Sequence, residues 1–352
     1  MTPRYAAAQL VDFANALLVR AGLDAPLARD VAAILVEGDL LGHDTHGLAL
    51  LAQYLAEIEK GSMTREGMFA VVNERGATAL WDGGRLPGPW LVLRAMDVAK
   101  RKALDHGTGT VVIRRSHHIA CLAAYLRRAT DEGLAMLLIC SDPNGASVAP
   151  FGGTRAVFTP NPVAAGFPTM ADPVLVDISA SLTTNGMTNR LHREGRTLQH
   201  EWLMDAAGKK SNDPAVLFEK PPGTILPLGG TDAGHKGFGL ALLVEMLTGG
   251  LGGFGRADPK EGWGATVFVQ IIDPEAFGGR DAFARQMQWI ADACRENPPV
   301  AAGPPVRLPG DNGLRKRRDQ LAHGVMLNPE IIPALEPWAD KLGVAIPGER
   351  AG

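Results

Sequence analysis

The chain has 352 residues, 46% of them hydrophobic, and its 35 basic against 38 acidic residues give a formal charge of −3. That near-balance gives no electrostatic reason to expect a nucleic-acid partner or an anionic membrane surface. The three cysteines, Cys121, Cys140 and Cys294, lie far apart without a CxxC pair, which argues against a disulfide framework or a zinc knuckle.

At the N-terminus, "MTPRYAAAQLVDFANALLVRAGL" carries Asp12 and Arg20 inside its apolar pattern, so it reads as an amphipathic helix over 6–21 and not as a signal segment. A second helix is predicted over 26–40 and a third over 45–60, stopped by Gly61. Residues 69–81 read as a hairpin and 89–106 as a helix bearing Arg94 and Asp97. "GTGTVVIRR" (107–115) is a β-branched strand, 120–133 a helix and "LAMLLICSD" (134–142) another strand, the spacing of a βαβ unit. Strands are predicted over 173–181 and 264–273, and helices over 236–248, 279–295 and, after a Pro-rich bend at 298–309, near 311–322. No run of 18 uncharged apolar residues occurs, so no membrane span is expected and a cytoplasmic protein is the default. The class is α/β with a distinct N-terminal helical section.

Two glycine motifs invite a nucleotide-site reading. "GLGGFG" (250–255) satisfies GxGxxG, but it follows a helix and no strand leads into it, so a glycine-rich helix exit is the better reading. "GTDAGHKG" (230–237) has its Lys and Gly out of P-loop register, with no Ser or Thr following. Lys236 remains notable as a cation at a helix start, where free N–H groups suit an anion.

"LLGHDTHGLALLAQYL" (40–55) places His43 and His46 one helical turn apart. They read as a metal pair, as hydrogen-bonded packing, or as a general acid/base oriented by Asp44, since imidazole titrates near neutrality. His117 and His118 are adjacent and would face opposite sides of a strand. A metal site would need a third ligand from tertiary structure, and none is assigned. Spacing alone does not choose among these readings.

"GHDTHG" (42–47) resembles the Ser-His-Gly motif of the malate/L-lactate dehydrogenase family, which is unrelated to the Rossmann-type lactate dehydrogenases. "RSHHIACLAAY" (115–125), "SDPNG…FGGTRAVFTPNPVAAGFP" (141–168), "VDISASLTTNGM" (176–187), "ILPLGGTDAGHKGFGLALLVEMLTGGLGG" (225–253) and "RLPGDNG" (307–313) resemble its other blocks, in order over essentially the whole chain.

This resemblance implies a non-Rossmann NAD(P)-binding mixed sheet and a homodimer with its active site near the subunit interface. The domains implied are a helical section at 1–65, an α/β cofactor-binding and catalytic domain at 66–310, and a segment at 311–352 packing back on the core. The activity implied is NAD- or NADP-dependent interconversion of a small 2-hydroxy acid and its 2-keto acid. Two alternatives stay open: an NAD(P)H-dependent reductase of a cyclic or N-alkyl imino acid, and a catalytically inactive NAD(P)-binding or structural relative. His46 and His118 match the catalytic histidines, Thr45, Leu50, Asn161 and Pro162 the substrate pocket. Ser141, Asp177, Ile178, Ser179, Ser181, His235, Lys236, Gly310, Asp311 and Asn312 match cofactor-contacting positions. Thr45 stands where the family usually has Ser, Ala120 and Cys121 where glycines are common, and Leu50 where many relatives carry an arginine near the substrate carboxylate. Loss of that bidentate clamp, worth roughly a few kcal/mol when desolvated, means another group grips the anion, with Arg115 and His117 as candidates, or the substrate is atypical.

Overall fold

A computed structural model describes residues 3–301 and 303–350; residue 302, inside the expected Pro-rich bend, and the extreme termini lie outside the described residues. After β1 (Arg4–Tyr5), α1 (Ala7–Arg20) buries Leu10, Phe13, Ala14, Leu17 and Leu18, the three-and-four spacing of one helical stripe. α2 (Ala25–Leu41) has a proline in its first turn and ends at Gly42, whose φ of 87° is the left-handed cap that glycine adopts without a Cβ clash. The third helix starts later than the periodicity predicts: a 3-10 turn at Leu48–Leu50 leads into α3 (Leu51–Glu59). Gly47 is non-helical (φ −101°, ψ −137°) and the Asp39 carboxylate accepts the Leu48 N–H, so residues 43–47 form a capped loop.

The hairpin is β2 (Ala70–Arg75) and β3 (Thr78–Asp82), followed by α4 (Gly88–His106), β4 (Thr108–Ser116), α5 (Ala123–Thr130) and β5 (Ala135–Ser141). Next come β6 (Pro162–Phe167), β7 (Val174–Ser179), α6 (Asn185–Arg193) and a small sheet of β8 (Leu203–Met204), β9 (Lys210–Ser211) and β10 (Thr224–Ile225). α7 (Gly230–Glu245), β11 (Ala265–Ile272), α8 (Arg280–Arg295), α9 (Asp311–His323), β12 (Val325–Met326) and α10 (Ile331–Leu342) complete the chain. The sequence reading did not contain β6, α6, the small sheet or α10.

Seven strands order as β2-β3-β4-β11-β5-β6-β7. β4 and β5 run in the same direction, as a βαβ unit requires, but β11 lies between them and is antiparallel to both. Among the described residues only β3 and β4 pair in parallel within this sheet, so it is mixed and no Rossmann half forms. One apolar core runs from α1–α3 through α4, α5 and one sheet face to α9 and α10. The other sheet face packs Val112, Ile139 and Phe268 against Val244 of α7. A separate cluster joins Val148, Phe158, Leu191, Leu203, Ile225 and Ala241 beneath the small sheet. The glycine-rich 250–255 segment follows a helix, and Gly249 and Gly255 meet backbone to backbone there.

Candidate active site

Three structural junctions meet at one cavity of about 320 Å³: the loop after α2, the turn after β4, and the β5, β6 and β7 strand ends with the start of α6. His46, Leu50, His118, Ser179, Asn185 and Trp263 are among its lining residues. The loop that carries His46 is held from behind. A Cβ on Gly47 would lie 2.2 Å from Asp39 Oδ1, so this glycine lets the loop close on the buried carboxylate that caps it.

The two histidines differ in what holds their Nδ1 atoms. Thr45 Oγ1 lies 2.9 Å from His46 Nδ1, and a hydroxyl can donate to a bare nitrogen or accept from a protonated one. His118 Nδ1 instead accepts the Ala120 N–H at 3.2 Å. The Tyr54 hydroxyl, 2.9 Å from the same nitrogen and 3.1 Å from the His118 carbonyl, supplies its one proton to these acceptors. With Nδ1 an acceptor, the neutral His118 ring carries its proton on Nε2. A second proton on Nδ1 would face the Ala120 N–H. Ala120 itself sits at φ 59°, a left-handed backbone that costs a non-glycine residue about 1 kcal/mol.

Burial pushes His46 down to about 4, with the nearby His43 adding to the effect. Burial also drives His118 well below the usual histidine range, and His46 and His117 reinforce the shift. The ring centroids of His46 and His118 are 6.0 Å apart, and Trp263 stacks on His118 at 4.4 Å. Both rings are therefore neutral near pH 7, one free to gain a proton and one held as a donor.

Behind the cavity lies a half-buried ionic network. Glu245 Oε1 accepts from Ser141 Oγ (2.8 Å), Asn161 Nδ2 (2.8 Å) and Arg256 Nε (2.9 Å). Asn161, at φ 48° and fully buried, also takes the Thr159 hydroxyl at 2.8 Å. The left-handed turn at Asn161 delivers Pro162 to the cavity wall. Ser141 and Asn161 thus spend their side chains on this network, while Thr45, Leu50 and Pro162 line the cavity.

Among the expected cofactor positions, Ser179 lines the cavity, and its hydroxyl donates to the Ser181 carbonyl. Asp177 accepts the Ala123 N–H at the start of α5, and Ile178 is exposed. His235 and Lys236 are exposed early in α7, where Gly237 packs against Leu228 and the Ala180 carbonyl beyond the end of β7. Gly310 packs on Leu175 at the opposite end of β7. Asp311 is tied to Arg295 and the Leu308 N–H, and Asn312 accepts from Arg315. These positions therefore string out along the β7 edge. Away from the cavity, donor atoms of His43, Cys121 and Asp177 lie within 4.8 Å of one another.

Tyr54, Trp263, Asn185 and Asn189 were not found by sequence reasoning. Tyr54 was within reach, because it falls inside the quoted histidine run, four residues after Leu50 on the same helical face. The Thr184 N-cap of α6, which accepts the Met187 N–H, was a further local signal. Trp263 had none.

The fold and site define a mixed-sheet oxidoreductase class, and comparison with known proteins makes the assignment. The Malate/L-lactate dehydrogenase family model matches residues 5–336, and the chain belongs to that family. It is 30% identical to an L-lactate dehydrogenase of Cupriavidus necator over 341 residues, covering 95% of this chain and 96% of the relative. The structure is similar to a malate dehydrogenase from Entamoeba histolytica, with a TM-score of 0.92, 25% identity and coverage of 99% and 100% of the two chains. It is also similar to a delta1-piperideine-2-carboxylate reductase from Pseudomonas syringae, with a TM-score of 0.85, 25% identity and coverage of 96% and 100%. The protein is an NAD(P)-dependent oxidoreductase acting on small compounds of the hydroxy- or keto-acid type.

Proposed function

We propose that this enzyme interconverts a small 2-hydroxy compound of the hydroxy-acid type and its 2-oxo counterpart, with His46 as proton carrier and His118 as a neutral hydrogen-bond donor. The observation that carries this division is the contrast at Nδ1. Thr45 accommodates either protonation state of His46, whereas the Ala120 N–H permits only one at His118.

NAD or NADP, when bound, would supply or take the hydride at the substrate's C2. The residues fit such a group: Ser179 stands at the cavity wall, His235 and Lys236 are exposed just after the kink at Ala233 in α7, and the Gly310–Asn312 turn closes the other end of the β7 edge. Ser141, Asp177, Ile178 and Ser181 would support that edge from its strand and turn positions. In oxidation, His46 Nε2 accepts the hydroxyl proton as the carbonyl forms; in reduction, the imidazolium returns it to the oxygen. His118 Nε2–H donates to the same oxygen and stabilises its developing negative charge. Stacking on Trp263 and the Tyr54 contact fix that ring in place.

We further propose a homodimer. Leu242, Leu243, Met246 and Leu251 expose about half of their surface along one stretch of α7 and the turn after it, an apolar band that a second copy would cover. Sedimentation velocity should give a dimer, and charged substitutions at Leu242 and Met246 should shift it to monomer.

The functional test follows NAD(P)H absorbance at 340 nm with each cofactor against 2-keto acids, their neutral derivatives, pyruvate with methylamine, and cyclic imino acids. Consumption with a 2-oxo compound supports the reading. Consumption with imines alone would replace it with imine reduction, and no consumption at all would remove it.

A further inference from the structure

Outside the catalytic cavity, three side chains of different donor chemistry converge. His43 in the loop after α2, Cys121 in the turn before α5 and Asp177 on β7 bring a ring nitrogen, a thiol and a carboxylate oxygen within 4.8 Å of one another. None of the three lines the cavity. The first two are seated on one turn of α2. The Gly38 carbonyl accepts the His43 N–H at 2.9 Å, and a Cβ on Gly38 would stand 3.4 Å from the Cys121 Cβ.

These donors are under-used. Asp177 Oδ2 accepts the Ala123 N–H at 2.9 Å and faces the Cys121 thiol at 3.9 Å, a weak contact. Among the described residues, Asp177 Oδ1 and the His43 ring make no hydrogen bond, and no lysine or arginine pairs with Asp177. Cys121 is buried, whereas His43 and Asp177 are half-buried and leave one side open to solvent. Burial raises both the Asp177 carboxyl and the Cys121 thiol, the condition of acidic donors kept from a cation. A dication set against one thiolate, one carboxylate and a neutral imidazole gives a cluster with no net charge, which a partly buried place tolerates. Nitrogen, sulfur and oxygen donors together suit zinc; magnesium and calcium take oxygen. Tetrahedral zinc holds such donors about 3.5 Å apart, so closure asks for side-chain movements of about 1 Å.

We propose that His43, Cys121 and Asp177 form a binding site for zinc or a similar thiophilic divalent cation, with water in the fourth position. Binding releases the Cys121 proton, and any proton held by Asp177, to solvent as the metal–sulfur bond forms; nothing is oxidised or reduced. The ion stands apart from hydride transfer and acts by position. The His46 N–H donates to the His43 carbonyl at 2.9 Å, His118 lies three residues before Cys121, and Ser179 lies two after Asp177. One ion therefore ties together the three segments that carry these cavity residues.

The test uses untagged full-length enzyme, stripped with a chelator and titrated with cobalt(II), whose spectrum reports its own donors. One cobalt per chain should bind, with a thiolate-to-cobalt charge-transfer band and the strong visible bands of a tetrahedral site. Zinc should displace it and bleach both. Cys121→Ser should abolish the charge-transfer band and His43→Gln should weaken cobalt binding at least tenfold, while Cys294→Ser should change neither. Zinc should raise the Tm of the wild type by about 5 °C, and that of Cys121→Ser by less than half as much. The wild-type titration is decisive even if a variant fails to fold: absence of the charge-transfer band overturns the proposal. A band that survives in Cys121→Ser, or disappears in Cys294→Ser, overturns it as well, because the metal then sits on another thiol.

Discussion

His46 and His118 share a cavity and a residue type, yet the atoms behind their rings differ, and the division of work proposed for them rests on that difference. Thr45 behind His46 is indifferent to the Nδ1 proton; the Ala120 N–H behind His118 is not. His46→Ala is therefore expected to lower kcat at least a thousandfold, whereas His118→Gln, which keeps a neutral N–H donor, should cost roughly ten- to a hundredfold. The pH dependence separates them further. With His46 held down to about 4, kcat/KM for oxidation should be flat above about pH 5 and fall as pH drops through 4, because the base becomes protonated. For reduction the required imidazolium becomes scarcer as pH rises above 4, so kcat/KM should decline with increasing pH. Steady-state profiles in both directions check this: the acid limb should persist in His118→Gln and vanish in His46→Ala. The family blocks singled out the two histidines that the structure brings to one cavity. The contrast at their Nδ1 atoms was not legible, because it depends on a backbone N–H and on a tyrosine 64 residues away from His118.

At the scale of elements, the sequence disclosed those whose periodicity is local and missed those held by partners. α1, α2, α4 and β11 carry their own apolar patterns. β6 holds Pro162, Ala164, Ala165 and Gly166, weak strand formers that pair because β5 and β7 flank them on both sides. The displaced start of α3 has the same origin: the apolar run predicts helix from 45, but Asp39 caps Leu48 from outside the segment. Gly47→Ala should therefore break the loop, costing about 3 kcal/mol of stability by overpacking and at least tenfold in kcat. Urea melts and turnover measure the two together. The network behind β5 and β6 gives a second prediction. Removing Arg256 takes one charged donor from the half-buried Glu245, so Arg256→Ala should lose roughly 1–2 kcal/mol. Because Glu245, which anchors Asn161, then loses the guanidinium that holds it in place, KM should rise as the Pro162 wall shifts; an unchanged KM in folded protein would show the network to be structural alone.

The molecule as a whole joins its ends at the loop that carries His46. Gln320 of α9 donates from Nε2 to the carbonyls of Asp39 (2.8 Å) and Leu40 (3.0 Å), closing the end of α2 with a residue from the C-terminal segment. The α/β class was readable from alternating periodicities, but insertion of β11 between β4 and β5 was not, since strand order is set by contacts distant in sequence. Asp39 ties this architecture to pH. Burial raises its carboxyl to about 7, against the Leu48 N–H bond that lowers it, so the folded state holds a proton that the unfolded chain releases near 3.8. Stability from this group is fully present below the unfolded value. It falls as pH rises and is lost once pH passes the folded value near 7. The linkage amounts to roughly 2–3 kcal/mol between pH 5 and pH 8. Asp39→Asn keeps an acceptor for Leu48 without an ionisable proton, so its unfolding free energy should fall less between those pH values. Urea denaturation of both proteins at pH 5 and pH 8, at one protein concentration, measures the difference. Equal slopes would mean that Asp39 ionises as freely in the folded protein as outside it, and that the loop carrying His46 is open to water.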